Sequence, residues 1–108
     1  ERAEALHEVR TAAKRLRYVA ELARGHLRGA GPLVRGAKQV QRVLGEVQDS
    51  VVTREHCRRL GVVAGAAGEN SFAYGRLHAL EQARAERAEA EFWALEPDLR
   101  RLLRRVSR

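Results

Sequence analysis

The chain of 108 residues has one cysteine, two prolines, one tryptophan and no methionine, and only 5% of it is aromatic. The lone Cys57 excludes an internal disulfide and any cysteine-based zinc cluster, and it suits a reducing compartment. The longest stretch free of charge, around Gly61 to Gly68, falls far short of the ~20 apolar residues needed to span a membrane. No cationic start leads into an apolar run and a small-residue cleavage site, so no secretory leader is expected. The scarce aromatics are not interleaved with the basic residues, which gives little support for stacking on single-stranded bases. Glycine is concentrated in Gly61 to Gly68, but no Gly-Lys-Ser/Thr ending follows, so this is not a phosphate loop.

What the chain does have is charge, unevenly placed. Lys+Arg number 21 against 14 Asp+Glu, a net charge of +7 with a pI near 10.9. Nine basic side chains stand between Arg10 and Arg42, where Glu21 is the single acid. From Gly65 to Pro97 the balance reverses to three basic and six acidic, and from Asp98 to Arg108 it returns to five and one. A field concentrated in the first forty residues suits a polyanion better than a general need for solubility. The competing reading is a solvated helix face, the usual role of a charge cluster.

Helical periodicity accounts for nearly everything, and 44% hydrophobic residues supply a modest core. Segment one runs from about Ala3 to Leu27, with Leu6, Val9, Ala13, Leu16, Ala20 and Leu27 on one side. Arg28-Gly29-Ala30-Gly31-Pro32 is a break. Segment two starts near Leu33 and carries Val40, Val43, Leu44, Val47 and Val51 toward Leu60. The glycine-rich stretch to Gly68 reads as a connection. Asn70 or Ser71 can cap a third helix to about Leu95, and Pro97 suits the first turn of a short fourth. The expectation is one all-α domain over residues 1–108. It is a four-helix bundle with two long antiparallel helices, a medium third and a short C-terminal one.

On helix one, His7, Arg10, Lys14 and Arg17 fall within roughly 80° of arc, in a row about 15 Å long, with Tyr18 beside His7. Cations this close repel one another, and Glu21 is the only acid on that face. Helix two offers a matching strip of Lys38, Gln41, Arg42, Gly45, Gln48 and Asp49. A mid-helix Gly45 costs about 1 kcal/mol relative to alanine, which predicts close approach of a neighbouring helix. Antiparallel packing would line one groove with the two strips. The plainer reading of Gln41, Gln48 and Asp49 is that they satisfy helix-one cations.

Leu6-His7-Glu8-Val9-Arg10-Thr11-Ala12-Ala13-Lys14-Arg15-Leu16-Arg17-Tyr18-Val19-Ala20-Glu21 resembles the signature helix of CHAD domains, the conserved histidine α-helical domains. Lys38-Gln39-Val40-Gln41-Arg42-Val43-Leu44-Gly45-Glu46-Val47-Gln48-Asp49 resembles the second helix of that family. Looser similarity continues through Tyr74-Gly75 and Phe92-Trp93, so that the resemblance covers about Ala5 to Leu95. It implies non-enzymatic binding of inorganic polyphosphate, with no cofactor, in the cytoplasm or at polyphosphate granules. It also implies two bundles facing each other across a positive groove. This chain resembles the second bundle, its partner coming from the same chain or a second copy. The polyphosphate-facing residues would be His7, Arg10, Lys14, Arg15, Arg17, Tyr18, Lys38 and Arg42. Repeated Arg forks and Lys point charges suit a ligand that offers only charge and oxygens.

Two other classes compete. A histidine phosphotransfer bundle would use His7, but three further cations share its face and the small residue expected after the basic one is absent. A general nucleic-acid binder would use the same cations on any phosphate backbone. His7, His26, His56 and His78 lack paired metal-ligand spacing. Cys57 has no recognisable His and acid partners, which favours a small half-buried residue. The last leucines and arginines, Leu99 to Arg108, form a basic amphipathic stretch whose leucines are expected to close the bundle.

Overall fold

The computed structural model describes residues 2–26 and 28–107. Among the described residues every regular element is helical: α1 (Arg2–Ala23), α2 (Ala30–Ala66) and α3 (Phe72–Ser107). The helices run up, down and up, with α2 in the middle and packed against both neighbours. Three helices replace the expected four, and both departures lie where glycine or proline suggested a break.

The first departure is Pro97, which stands inside α3 instead of starting a fourth helix. An interior proline removes one hydrogen bond and costs about 3 kcal/mol. The apolar phase nevertheless runs through it without a slip: Ala85, Ala88 and Phe92 are buried, and Leu95, Leu99, Leu102, Leu103 and Val106 pack against the core. A break at Pro97 would lift four of those side chains off α1 and α2. The ring itself faces solvent, and Glu96 pairs with Arg100 and Asp98 with Arg101 along the next turn.

The second is the glycine-rich stretch, which is helical as far as Ala66. Gly61 has a packing role there: a Cβ at that position would stand 3.2 Å from the Tyr74 Cβ, so glycine lets α3 approach. The helix stops at Gly68, whose φ of +76 is left-handed. Glu69 N–H then donates to the Ala64 carbonyl at 2.8 Å and Gly68 N–H to the Gly65 carbonyl at 3.1 Å, the paired closure of a Schellman motif. Asn70 Oδ1 accepts from Phe72 N–H at 2.9 Å and satisfies an orphan donor of α3, a capping role the sequence suggests.

α1 ends earlier than its apolar stripe suggests, because Gly25 takes a φ of +92 and turns the chain. Leu27 and Arg108 lie outside the described residues. Pro32 sits in the first turn of α2, where no donor is needed.

The core has two parts. Leu6 and Ala13 of α1 meet Val40, Val43, Leu44 and Val47 of α2 and Ala88 and Phe92 of α3. Ala20, Leu33 and Val34 form a second cluster beside them. A helix of 22 residues reaches only part of the way along one of 37. Beyond α1, α2 and α3 continue as a two-helix arm, and the molecule measures 63 × 22 × 22 Å.

Candidate anion-binding groove

Antiparallel packing of α1 on α2 brings parts of the two polar strips together. Ala13 and Ala20 are small enough to seat α1 close to α2, and the longer side chains flanking them reach over the seam. The result is a hollow of about 430 Å³. Arg10 and Arg17 reach it from α1; Lys38, Gln41, Arg42 and Gly45 line it from α2. Glu46 and Asp49 are also on its wall.

The eight residues that the resemblance marks as polyphosphate-facing do not all stand there. Arg10, Arg17, Lys38 and Arg42 line the hollow. His7 lies one turn further along, in a neighbouring hollow with Glu4, Glu8, Gln48 and Val51. Lys14 and Arg15 are exposed on α1 and line no part of the groove. Tyr18 is 48% exposed, with the Arg17 guanidinium carbon 5.0 Å from its ring centroid. That contact holds Arg17 by a cation–π attraction on its outer side.

The cations differ sharply in how they are satisfied. Glu21 lies 3.8 Å from Arg17 Nε and 3.9 Å from Lys38 Nζ, so the one acid of the basic stretch links α1 to α2. Arg42 is shared between two carboxylates, Nη1 donating to Glu46 Oε1 at 3.1 Å and Nη2 to Glu91 Oε1 at 3.2 Å. Arg10 makes no ion pair among the described residues, and its Nε is buried without a hydrogen-bond partner. Arg17 Nε and Gln41 Oε1 are likewise buried and unmatched by a hydrogen bond.

Two expectations need correcting. Gln41, Gln48 and Asp49 do not satisfy the helix-one cations: among the described residues no hydrogen bond or ion pair joins them. Nor does Gly45 admit a neighbouring helix. The nearest atoms to a Cβ there are Arg10 Nε at 3.7 Å and Nη2 at 3.8 Å, so the Arg10 guanidinium lies over the glycine at a distance that would still admit a methyl group. Glu46 is legible as a partner for Arg42 from its i,i+4 spacing. Glu91, 49 residues away, gave no local signal.

Elsewhere the chemistry is sparse. Cys57 is a free, half-buried thiol in a hollow of the arm that Tyr74 and His78 also line. Among the described residues no three His, Cys, Asp or Glu side chains gather to hold a metal ion, and no helix is long and apolar enough to cross a membrane. The Glu55 carboxyl is held below its ordinary range, chiefly by hydrogen bonding from Arg58 at 3.1 and 2.6 Å; the pair is fully exposed on the arm.

The family model of the CHAD domain matches residues 1–58, which is more than half of the chain and contains both walls of the groove. The chain belongs to the CHAD family. The match ends within α2, short of the Leu95 to which the looser motifs extend. Two uncharacterised proteins of Mycobacterium tuberculosis, from strains CDC 1551 and H37Rv, are each 45% identical over 101 residues. That alignment takes in 94% of this chain and 18% of each relative, so the CHAD chain spans less than a fifth of their length. No solved structure matches it.

Proposed function

We propose that this CHAD chain binds inorganic polyphosphate, without catalysing a reaction, along the groove between α1 and α2. Arg10 carries the reading: a cation that makes no ion pair among the described residues, and with a buried donor unmatched, stands in a groove wide enough for an anion, although Glu46 and Asp49 share its wall. Leaving such a donor unpaired costs about 1–3 kcal/mol, which a bound oxyanion would recover. Arg17, Lys38 and Arg42 extend the same line of donors. A polyphosphate chain has closely spaced charges and no base edges, so a row of Arg and Lys side chains supplies all the recognition it can use.

The family resemblance supports the remaining features of the proposal. The chain acts beside a second CHAD bundle, from the same polypeptide or another copy, which would close the open side of the groove. It works in the cytoplasm or on polyphosphate granules. His7 as a phosphate-accepting histidine draws no support from its surroundings, since Glu4 and Glu8 share its hollow.

Competition titration of polyphosphate, DNA and tripolyphosphate at two salt concentrations tests the reading. Four cations in contact would give a log–log salt slope of about −3, taking about −0.7 per phosphate from single-stranded nucleic acid. A double variant Arg10→Glu with Arg17→Glu should bind at least about tenfold more weakly, or ~1.4 kcal/mol, than Lys14→Glu with Arg15→Glu. Both carry the same charge change on the same helix. Equal losses in two folded variants, or equal competition by DNA at matched phosphate, would reject the groove.

A further inference from the structure

Gln41 and Gly45 belong to no set of cations, yet the groove is built around them. We infer that they form the floor of a seat for one phosphoryl group of the bound chain, with Arg10 as its leading cation. This rests on the polyphosphate reading and adds to it two neutral positions and an order of engagement.

The mid-helix glycine is the first observation. Gly45 weakens α2 intrinsically, and no other helix comes close enough to require it. The atoms above it belong to the Arg10 guanidinium, at 3.7 and 3.8 Å. A larger side chain would occupy the space in which that guanidinium lies and would push it out of the groove. A methyl group would still fit at those distances, so it is the absence of a longer side chain at this position that leaves the cation its place.

The second observation is independent. Arg10 Nε, Arg17 Nε and Gln41 Oε1 are buried without hydrogen-bond partners, and all three residues line the same hollow. Gln41 stands one helical turn from Gly45. Turning its amide over exchanges Oε1 for the NH2 group, so the side chain can donate to a phosphate oxygen without adding charge. A neutral donor beside two guanidinium groups completes a small cluster of donors around one oxyanion.

The order of engagement follows from the acids. Arg42 is held by Glu46 and Glu91, whose charges oppose an incoming anion, and Arg17 and Lys38 share Glu21. Arg10 has nothing to leave. An incoming chain therefore meets Arg10 over Gly45 first and recruits the paired cations afterwards.

Titration of the 108-residue chain with inorganic polyphosphate at two salt concentrations, alongside thermal melts, tests this with Gly45→Leu and Gln41→Leu. Gly45→Leu should melt at the same or a higher temperature, because leucine is the better helix former, yet bind at least fivefold more weakly. Gln41→Leu should bind about three- to tenfold more weakly with an unchanged salt slope, since no charge is removed. Wild-type affinity in both folded variants would overturn the seat and leave the groove reading intact. A changed slope in Gln41→Leu would overturn its role as a neutral donor. If Gly45→Leu fails to fold, Gln41→Leu decides alone. Absence of polyphosphate binding by the wild-type chain would instead overturn the proposed function, and the seat with it.

Discussion

The two ends of the molecule follow the same helical rules but are unequally filled. Where α1 covers α2, the seam is closed by Leu33, Val34, Val40, Val43, Leu44 and Phe92, each at most 3% exposed. In the arm, Leu60, Val63, Phe72, Leu77 and Leu80 are all at least half exposed, and Ala64 is the buried apolar residue of the last turns of α2. The groove lies wholly on the filled end. Holding several cations a few ångströms apart requires rigid walls, and a third helix makes the walls rigid. The arm has the backbone hydrogen bonds of two long helices but little apolar burial, and hence less resistance to local opening.

The largest effect should come from the filled end. Phe92→Ala removes a side chain that is 2% exposed and belongs to the main cluster, and should cost about 3–5 kcal/mol. Leu60→Ala on the arm, at 51% exposure, should stay within about 0.5 kcal/mol. Urea unfolding of the two variants makes the comparison, and similar midpoints would show that the arm is packed as firmly as the rest. A smaller effect of opposite sign is expected at Gly65, in the last turn of α2, where a Cβ would meet nothing within 4 Å. Gly65→Ala should stabilise the arm by about 0.5–1 kcal/mol, seen as slower amide exchange there with the groove unchanged. Loss of protection would mean that the position needs glycine.

The smallest effect should be at Glu55. Its carboxyl is depressed by Arg58, so the pair's contribution is present above the ordinary carboxylate pKa and fades as pH falls through the depressed value. Glu55→Gln should therefore lower the melting temperature slightly at neutral pH and not at all in acid. Full exposure keeps the difference small. A difference that grew toward acid pH would contradict the assigned cause.

Much of this was legible in the residues. The sevenfold spacing of Leu6, Ala13 and Ala20 specified the buried face of α1. Helical angles with antiparallel packing set the row of His7, Arg10, Lys14 and Arg17 toward the α2 strip; of that row, Arg10 and Arg17 line the groove and His7 and Lys14 do not. At Pro97 and at the glycines of 61–68, local propensity points to a break while the apolar phase does not. The apolar register from Ala85 to Val106 crosses the proline in steps of three and four, and packing over that length outweighs one lost hydrogen bond. The tie between Arg42 and Glu91 was hidden for another reason: it depends on how α3 lies across α2, which no local spacing encodes. Gly45 is unusual in mid-helix, but its neighbour is a side chain and not a backbone.

Ser50 stands at the boundary between the two ends, fully buried, its hydroxyl donating to the Glu81 carbonyl at 2.8 Å. The arm beyond it pairs Cys57, Gly61 and Ala64 with a helix that could slide past such small residues at little cost. A hydroxyl that finds its acceptor at one carbonyl only does not tolerate that slip. Displacing α3 by one residue would draw the Glu81 carbonyl away from this buried donor, a penalty of about 1–3 kcal/mol if the donor is left unpaired. Ser50 thus acts as a pin against axial sliding. It lets a thinly packed pair of helices keep the register set by the core, so that Glu91 stays level with Arg42.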